Sequence, residues 1–464
     1  MKDLPEDRLA SHDEKGWRNY IHPKAIKGVF QRRKRVVQWA LLVWFLLLPW
    51  IVIDGRQWVL LDIPHRRFTL FGLQFWAHDV PMLFFVFALL ALTILLFTSL
   101  VGRVWCGWAC PQTVFIERIF RVIETWVEGD SIKRRELDHA PMSWNKFGKR
   151  SLKWFLYILA ALVVTHSGLA YFMGSREIFH IVTHPPSEHP LAFGIVMFAT
   201  AVVLFDFGWF REQFCIIMCP YGRFQSILMD NNSVNVAYDA KRGEPRKGIA
   251  KPGEKQGDCI NCFRCVQVCP TGIDIRRGTQ LECIACTACI DACDEVMERT
   301  HKPKGLIRYA SNQELKGNKT RFIRPRTILY GILLTAAAIT LSVLVSHRKP
   351  IELNVLRAKD IPYQQVQGKV LNHFRVDISN KTFESAFVRI RLPETEANRG
   401  LSMTATQTEW TLEGGTHVRQ DLFILFDPAL LKEGKATSSL CLDTSSQGQC
   451  EIQGELTLVG PLTL

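Results

Sequence analysis

The sequence predicts a multi-domain membrane protein: five transmembrane α-helices, a cysteine-rich α+β domain inserted before the last of them, and a C-terminal all-β sandwich. Three observations carry that prediction. Five apolar runs (36–53, 80–101, 152–172, 191–210 and 327–346) approach the roughly 20 residues that cross a bilayer. Eight of the fourteen cysteines fall between residues 259 and 293. After residue 346 the chain turns to alternating apolar and polar stretches broken by Gly, Asn and Pro, the pattern of short half-buried strands.

A chain of 464 residues bounds the structural units at two or three. Its formal charge of +13 suggests a nucleic-acid partner only until the placement of the charge is considered. The basic N-terminal segment 1–35 holds ten Lys and Arg, including RRKR at 32–35, and loop 102–151 holds nine. Loop 54–79 has three and loop 173–190 has Arg176 alone. Lys and Arg concentrate in cytoplasmic loops. The N-terminus, loop 102–151 and segment 211–326 are therefore expected in the cytoplasm, with 54–79, 173–190 and everything after 346 outside. The charge is a topology signal; membrane lipid is an expected partner and nucleic acid is not. The first run is not expected to be a cleaved signal peptide, because 35 mostly polar residues precede it and no small-residue cleavage site follows. Twelve cysteines fall on segments expected to face the reducing side, where metal or redox roles are favoured over disulfides.

The membrane region 36–240 carries one element twice: VWCGWACPQT at 104–113 and FCIIMCPYGR at 214–223, each directly after an apolar run. If helical, Cys106 and Cys110, and likewise Cys215 and Cys219, share a face with Cβ atoms about 5–6 Å apart, close enough to share one ion. The proline suits the first turn of a new helix. Along 111–130, Phe115, Ile116, Ile119, Ile123, Trp126 and Val127 form one apolar stripe, as on an interfacial amphipathic helix. Cys110 and Cys219 would then stand at helix N-termini, where the dipole lowers a thiol pKa. Such thiolates suit Cu(I), or another iron–sulfur centre.

The domain at 241–326 begins with a charged, Gly/Pro-rich linker, 241–258, and then reads CINCFRCVQVCP and CIACTACIDACD. Cys259, Cys262, Cys265 and Cys269 repeat at a fixed offset as Cys283, Cys286, Cys289 and Cys293. This C-x2-C-x2-C-x3-C duplication is the bacterial ferredoxin arrangement for two [4Fe–4S] clusters, in which the fourth cysteine ligates the other cluster. Cluster one is expected on Cys259, Cys262, Cys265 and Cys293, and cluster two on Cys283, Cys286, Cys289 and Cys269. Zinc sites also use C-x2-C, but give no reason for this register twice over. Pro270 follows the first motif; Asp294 follows the second, where it should change chain direction or local charge and remove no ligand. Paired clusters suit one-electron relay, so the domain is expected to deliver electrons.

The fifth helix is expected at 327–346 and a periplasmic docking module at 347–464. Within it, Cys441 and Cys450 lie in the oxidising compartment and most simply form a disulfide. Imidazoles at His180, His184 and His189, with His65 and His78, could receive copper or another ion on the outer face. His166 and Asp206 are ionisable groups inside predicted membrane helices; Asp206 could pair with Arg211.

CGWACPQTVFIERIF, CIIMCPYGRFQSILMD and CVQVCPTGIDIRRGTQLECIACTACIDACDEVM followed by GLIRYAS resemble the cytochrome c oxidase accessory protein family of the FixG/CcoG type. The resemblance covers nearly the whole chain, and implies that the C-terminal sandwich is Ig-like. It implies a protein of the bacterial inner membrane that reduces Cu(II) to Cu(I) during assembly of cbb3-type oxidases. Cys106, Cys110, Cys215 and Cys219 would bind and reduce the copper. A cytoplasmic donor would supply electrons, and a copper transporter or chaperone and oxidase assembly factors would be partners. The oligomeric state is open, a homodimer included. The C-x-x-x-C-P elements also resemble those of membrane quinol dehydrogenases, so a quinol-linked electron-transfer subunit is an alternative, as is a redox-sensing assembly scaffold without turnover.

Overall fold

The computed structural model describes residues 15, 17, 18, 20–53, 56–63, 67–71, 73–75, 79–249, 253, 255–358, 361–382, 384–397, 399–444 and 450–461. The chain divides into two compact units, 1–72 with 83–340 and 73–82 with 341–464.

Among the described residues, four helices are long and apolar enough to cross a membrane: Pro81–Val101, Trp144–Met173, Pro190–Phe210 and Pro325–Ser346. They contain the second to fifth apolar runs. The first run differs from expectation. It belongs to the helix Val29–Leu47, which starts inside the basic segment and carries Arg32, Arg33, Lys34 and Arg35 in its first turns. A 3-10 turn, Leu48–Trp50, then ends it at Pro49, whose ring and missing N–H cannot continue a helix. Among the described residues this helix is therefore not one of the four that meet the length and composition of a span. Lys34 and Gln38, both buried, show that one face of this helix is turned inward.

That face meets the segment after Cys110. Leu42, Phe115, Ile116, Phe120, Tyr157, Val164 and Phe207 form one buried core, with Ile119 and Ile123 packed against it. The rings of Phe120 and Tyr157 meet edge-on at 5.0 Å, and those of Phe115 and Phe207 at 5.2 Å. The stripe expected along 115–127 departs from this. A π-helical turn at Ile116–Phe120 shifts the phase of the helix, burying Phe120 and leaving Trp126 exposed.

In the same unit, a two-stranded antiparallel ladder closes the cysteine-rich region by pairing Asn235–Tyr238 with Ile307–Ala310. The helix Ala288–Arg299 packs Ile290 and Met297 against Val236, Tyr238, Leu306 and Ile307.

The second unit contains two antiparallel sheets. One runs Ser402–Ala405, His417–Phe426, Lys369–Asn380 and Ile351–Arg357, with Gln364–Val366 also paired to Lys369–Asn380. The other runs Glu409–Leu412, Ala386–Arg391, Lys435–Asp443 and Ile452–Val459. Alternate residues point inward: Val370, Phe374, Val376 and Ile378 from one sheet join Val388, Ile390, Leu440, Leu442, Leu456 and Leu458 from the other. The sandwich expected from the alternating pattern is present. Cys441 and Cys450 form a disulfide within it.

Candidate functional site

Each half of the cysteine repeat folds as a tight loop leading into a helix. Asn261 and Phe263 in the first loop, and Ala285 and Thr287 in the second, adopt left-handed backbone conformations with φ of 58°, 58°, 51° and 63°. They occupy matching places in the repeat, and none is a glycine. The left-handed region costs such residues roughly 1–2 kcal/mol each, and strain of this kind persists only where the surroundings over-determine it.

The resulting curvature turns the cysteines toward common spaces. Cys259, Cys262 and Cys265, with Cys293 from the second loop's helix, line a cavity of about 360 Å³. Cys283, Cys286 and Cys289, with Cys269 from the first loop, line another of about 360 Å³, which Cys265 also touches. The rest of the walls is largely apolar, with Ile273, Ile275 and Ile284 in one and Met297, Leu306 and Ile307 in the other. Burial pushes the thiols of Cys265, Cys283 and Cys293 up to about 12 and that of Cys286 up to about 11. Thiolates in such walls need a cationic partner, and an iron–sulfur core supplies one. The four-thiol donor set of each cavity fits a [4Fe–4S] centre. Asp294 does not redirect the chain: the helix Ala288–Arg299 continues through it, and its Oδ1 accepts the Gly305 N–H at 2.8 Å.

The two C-x-x-x-C-P elements share one backbone plan. Cys106 lies in the helix Val104–Trp108 and Cys215 in the π-helix Phe214–Met218. Cys110 (φ −60°, ψ 128°) and Cys219 (φ −67°, ψ 110°) are extended and cap the helices Pro111–Phe115 and Pro220–Leu228. The continuous helix expected through both cysteines is therefore absent. A proline disfavours helical backbone in the residue before it, although it takes the first helical position in both copies, as expected. The lowered thiol expected at Cys110 is not found either. Burial raises it against the pull of the Gln112 and Thr113 N–H groups, and burial likewise raises Cys215 and pushes Cys106 up to about 11.

The four thiols are neighbours, close enough that charge on Cys110 and Cys219 raises Cys106, and charge on all three raises Cys215. Among the described residues, no three His, Cys, Asp or Glu side chains close on one point. Gln225, fully buried, donates from Nε2 to Cys106 Sγ at 3.2 Å.

The first element presses directly on the second cysteine loop. A Cβ on Gly107 would lie 2.6 Å from the Ile284 carbonyl oxygen and 2.7 Å from that of Ala285, so only glycine permits this approach. Cys106 and Cys215 pack against the apolar group that includes Val268, Ile284 and Cys286. Arg103, also buried, donates to the carbonyls of Leu281 and Gly222, tying both C-x-x-x-C-P elements to the second loop. Sequence reasoning singled out none of Gly107, Arg103 or Gln225. One signal was available: Gly107 stands where the second copy has Ile216.

Buried ion pairs fix the surrounding helices. Lys34 meets Glu117 at 2.7 Å, and Glu124 meets both Arg211 and Arg134 at 2.7 Å. Burial alone would raise the Glu124 carboxyl, but the two guanidinium groups outweigh it and hold it at about 2. The Arg211 side chain thus pairs with Glu124, not with Asp206, which instead accepts from Gln112 Nε2 at 3.0 Å. His166 Nδ1 lies 2.6 Å from the Leu162 carbonyl oxygen of its own helix. His180 stacks on His184 at 3.8 Å, and His189 lies edge-on to His180 at 5.3 Å. His65 and His78 lie outside the described residues.

Comparison with known proteins places this geometry. Residues 210–312 match the 4Fe-4S dicluster domain, 83–128 match a 4Fe-4S binding domain, and 341–461 match the IG-like fold at the C-terminal of FixG. The chain is 37% identical over 406 residues to protein RdxB of Cereibacter sphaeroides, covering 83% of this chain and 84% of that one. It is 35% identical over 421 residues to nitrogen fixation protein FixG of Rhizobium meliloti, covering 81% and 79%. A shorter similarity, 28% over 186 residues and 39% and 51% of the two chains, links it to methylamine utilization ferredoxin-type protein MauN of Methylorubrum extorquens. With two iron–sulfur domain matches, the Ig-like C-terminal fold and these relatives along most of its length, the chain belongs to the FixG family.

Proposed function

We propose that this iron–sulfur electron-transfer protein is a cupric reductase. In this reading Cys106, Cys110, Cys215 and Cys219 hold copper, and each Cu(II) takes one electron to become Cu(I), which soft thiolates favour. One observation carries the reading: the contact of Gly107 with the carbonyls of Ile284 and Ala285 sets Cys106, one thiol of the first pair, against the apolar group that includes Cys286. When bound, the two clusters supply one-electron relay. Cys259, Cys262, Cys265 and Cys293 are assigned to hold one cluster, and Cys283, Cys286, Cys289 and Cys269 the other. Arg103 and Gly107 keep the thiol pair against the second loop, and Gln225 steadies the Cys106 sulfur.

The distribution of Lys and Arg supports a multi-pass protein of the bacterial inner membrane, including the first helix as a fifth pass. The cysteine-rich domain then faces the cytoplasm and its electron donor, with the Ig-like domain in the periplasm. Service to cbb3-type oxidase assembly, with a copper transporter or chaperone as acceptor, rests on the family resemblance.

A second reading is favoured by the iron–sulfur domain match at 83–128, which contains Cys106 and Cys110. There the thiols hold a further iron–sulfur centre in a quinol-linked relay. Replacing Cys106 and Cys110 together by Ser separates the two. The copper reading expects unchanged iron content and loss of Cu(I) formation. A fall in iron content, with reduction of the clusters by quinol in the parent protein, would sink it in favour of the second.

A further inference from the structure

A third cavity is walled by Lys24, Lys34, Arg35, Arg118, Arg121 and Arg134 and reaches Cys286. Glu117 is the one carboxylate among the described residues that line it. Glu124 and Glu212, which do not line it, pair with Arg134 and Arg121, yet basic groups still outnumber acidic ones by three. Arg134 is only 3% exposed. Its Nη1 meets Glu124, but its Nε, like that of Arg121, is buried and finds no acceptor among the described residues. Leaving a buried donor unsatisfied is costly, and both of these arginines line the cavity. Guanidinium forks of this kind match the oxygens of a phosphate group.

The cavity also touches the redox machinery. Lys34 Nζ lies 2.8 Å from Glu117 and 3.4 Å from the carbonyl oxygen of Cys286. Charge added in the cavity is therefore felt at Cys286, and negative charge beside an iron–sulfur centre makes its reduction harder.

We propose that this cavity binds a phosphate-bearing anion, and that occupancy lowers the reduction potential of the centre built on Cys286. The site stands whether copper or quinol is the redox partner. The anion's source is either free phosphate or a lipid headgroup.

The full-length protein in phosphatidylcholine nanodiscs is titrated with inorganic phosphate against chloride of equal ionic strength. Binding is followed by calorimetry, and the clusters by redox-poised EPR. Saturable phosphate binding is expected, with a downward shift of one of the two cluster potentials. Arg35→Glu and Lys24→Glu, near the mouth, should each weaken binding about tenfold by removing a charge-assisted contact, with both cluster signals retained. Nanodiscs containing phosphatidylglycerol that show the shift without added phosphate would assign the site to a lipid headgroup. Absence of both saturable phosphate binding and a lipid-dependent shift, or indifference of both effects to the two charge reversals, overturns the proposal.

Discussion

Replacing Gly107 by alanine tests the contact between the thiol pair and the second cysteine loop. The added methyl would stand 2.6 and 2.7 Å from two backbone oxygens, where ordinary contact begins at 3.4 Å. Neither obstacle is the free end of a flexible side chain, so the two segments must separate by close to 1 Å. Overpacking of this kind costs about 1–3 kcal/mol, and an error of about 1 Å in the placement of reacting groups can cost on the order of a hundredfold in rate. We therefore expect Gly107→Ala to keep both clusters while slowing their reoxidation by Cu(II) between about tenfold and a hundredfold. The assay is anaerobic stopped flow on the dithionite-reduced protein, with cluster content checked by EPR. Gly148→Ala is the control, because a Cβ there meets no atom within 4 Å; it should leave the rate unchanged. A Gly107→Ala protein with full cluster content and the parent's rate would refute the contact as the route of transfer.

Three further outcomes are expected. Cys293→Ser should disturb the cluster on Cys259, Cys262 and Cys265, and Cys269→Ser the cluster on Cys283, Cys286 and Cys289; EPR showing each variant to damage the centre of its own loop would contradict the crossed assignment. Glu124→Ala strands Arg211 and Arg134 in a buried site and should cost about 3–5 kcal/mol, read as a lower thermal midpoint. Because its folded carboxyl sits at about 2, below the unfolded value near 4.3, the stabilisation from Glu124 is complete above about pH 5. It is lost as pH falls from there toward 2, and the Ala variant should lack that pH dependence. Cys450→Ser opens a loop closed over a sequence separation of 9 and should destabilise the C-terminal domain by about 2–3 kcal/mol in chemical denaturation.

Much of this architecture was legible because its signals are local. The spacing of the eight cysteines names the iron–sulfur domain without any long-range information, and alternation in stretches such as 374–379 exposes the buried face of a sheet. Four apolar runs read correctly as long apolar helices because no charge interrupts them. The first run was legible only in part, because a helix need not begin where apolarity begins: Arg32 to Arg35 lie inside it, and Lys34 is buried against Glu117, 83 residues away in sequence. The Glu124, Arg134 and Arg211 cluster was invisible for the same reason, since burial and pairing across 87 residues leave no local trace. At the thiol pairs, i,i+4 spacing suggested one helix, but the restraint that proline places on Cys110 and Cys219 overrode it. The π-turn at Ile116–Phe120, which rotates the following face, also lacks a sequence signature. Gly107 was readable only as a difference between the two copies; its meaning depends on a carbonyl pair contributed by residues 284 and 285.

The most direct test of electron delivery to copper is a single turnover. The protein is reduced with dithionite, freed of excess reductant and mixed anaerobically with Cu(II). Loss of the reduced-cluster EPR signal and appearance of chelatable Cu(I) should proceed together, one Cu(I) per cluster electron. In the protein with Ser at both 106 and 110 the clusters should remain reduced and no Cu(I) should form. Clusters that stay reduced in the parent protein, or that reoxidise equally fast in the double variant, would contradict the assignment of these thiols as the point where copper is reduced.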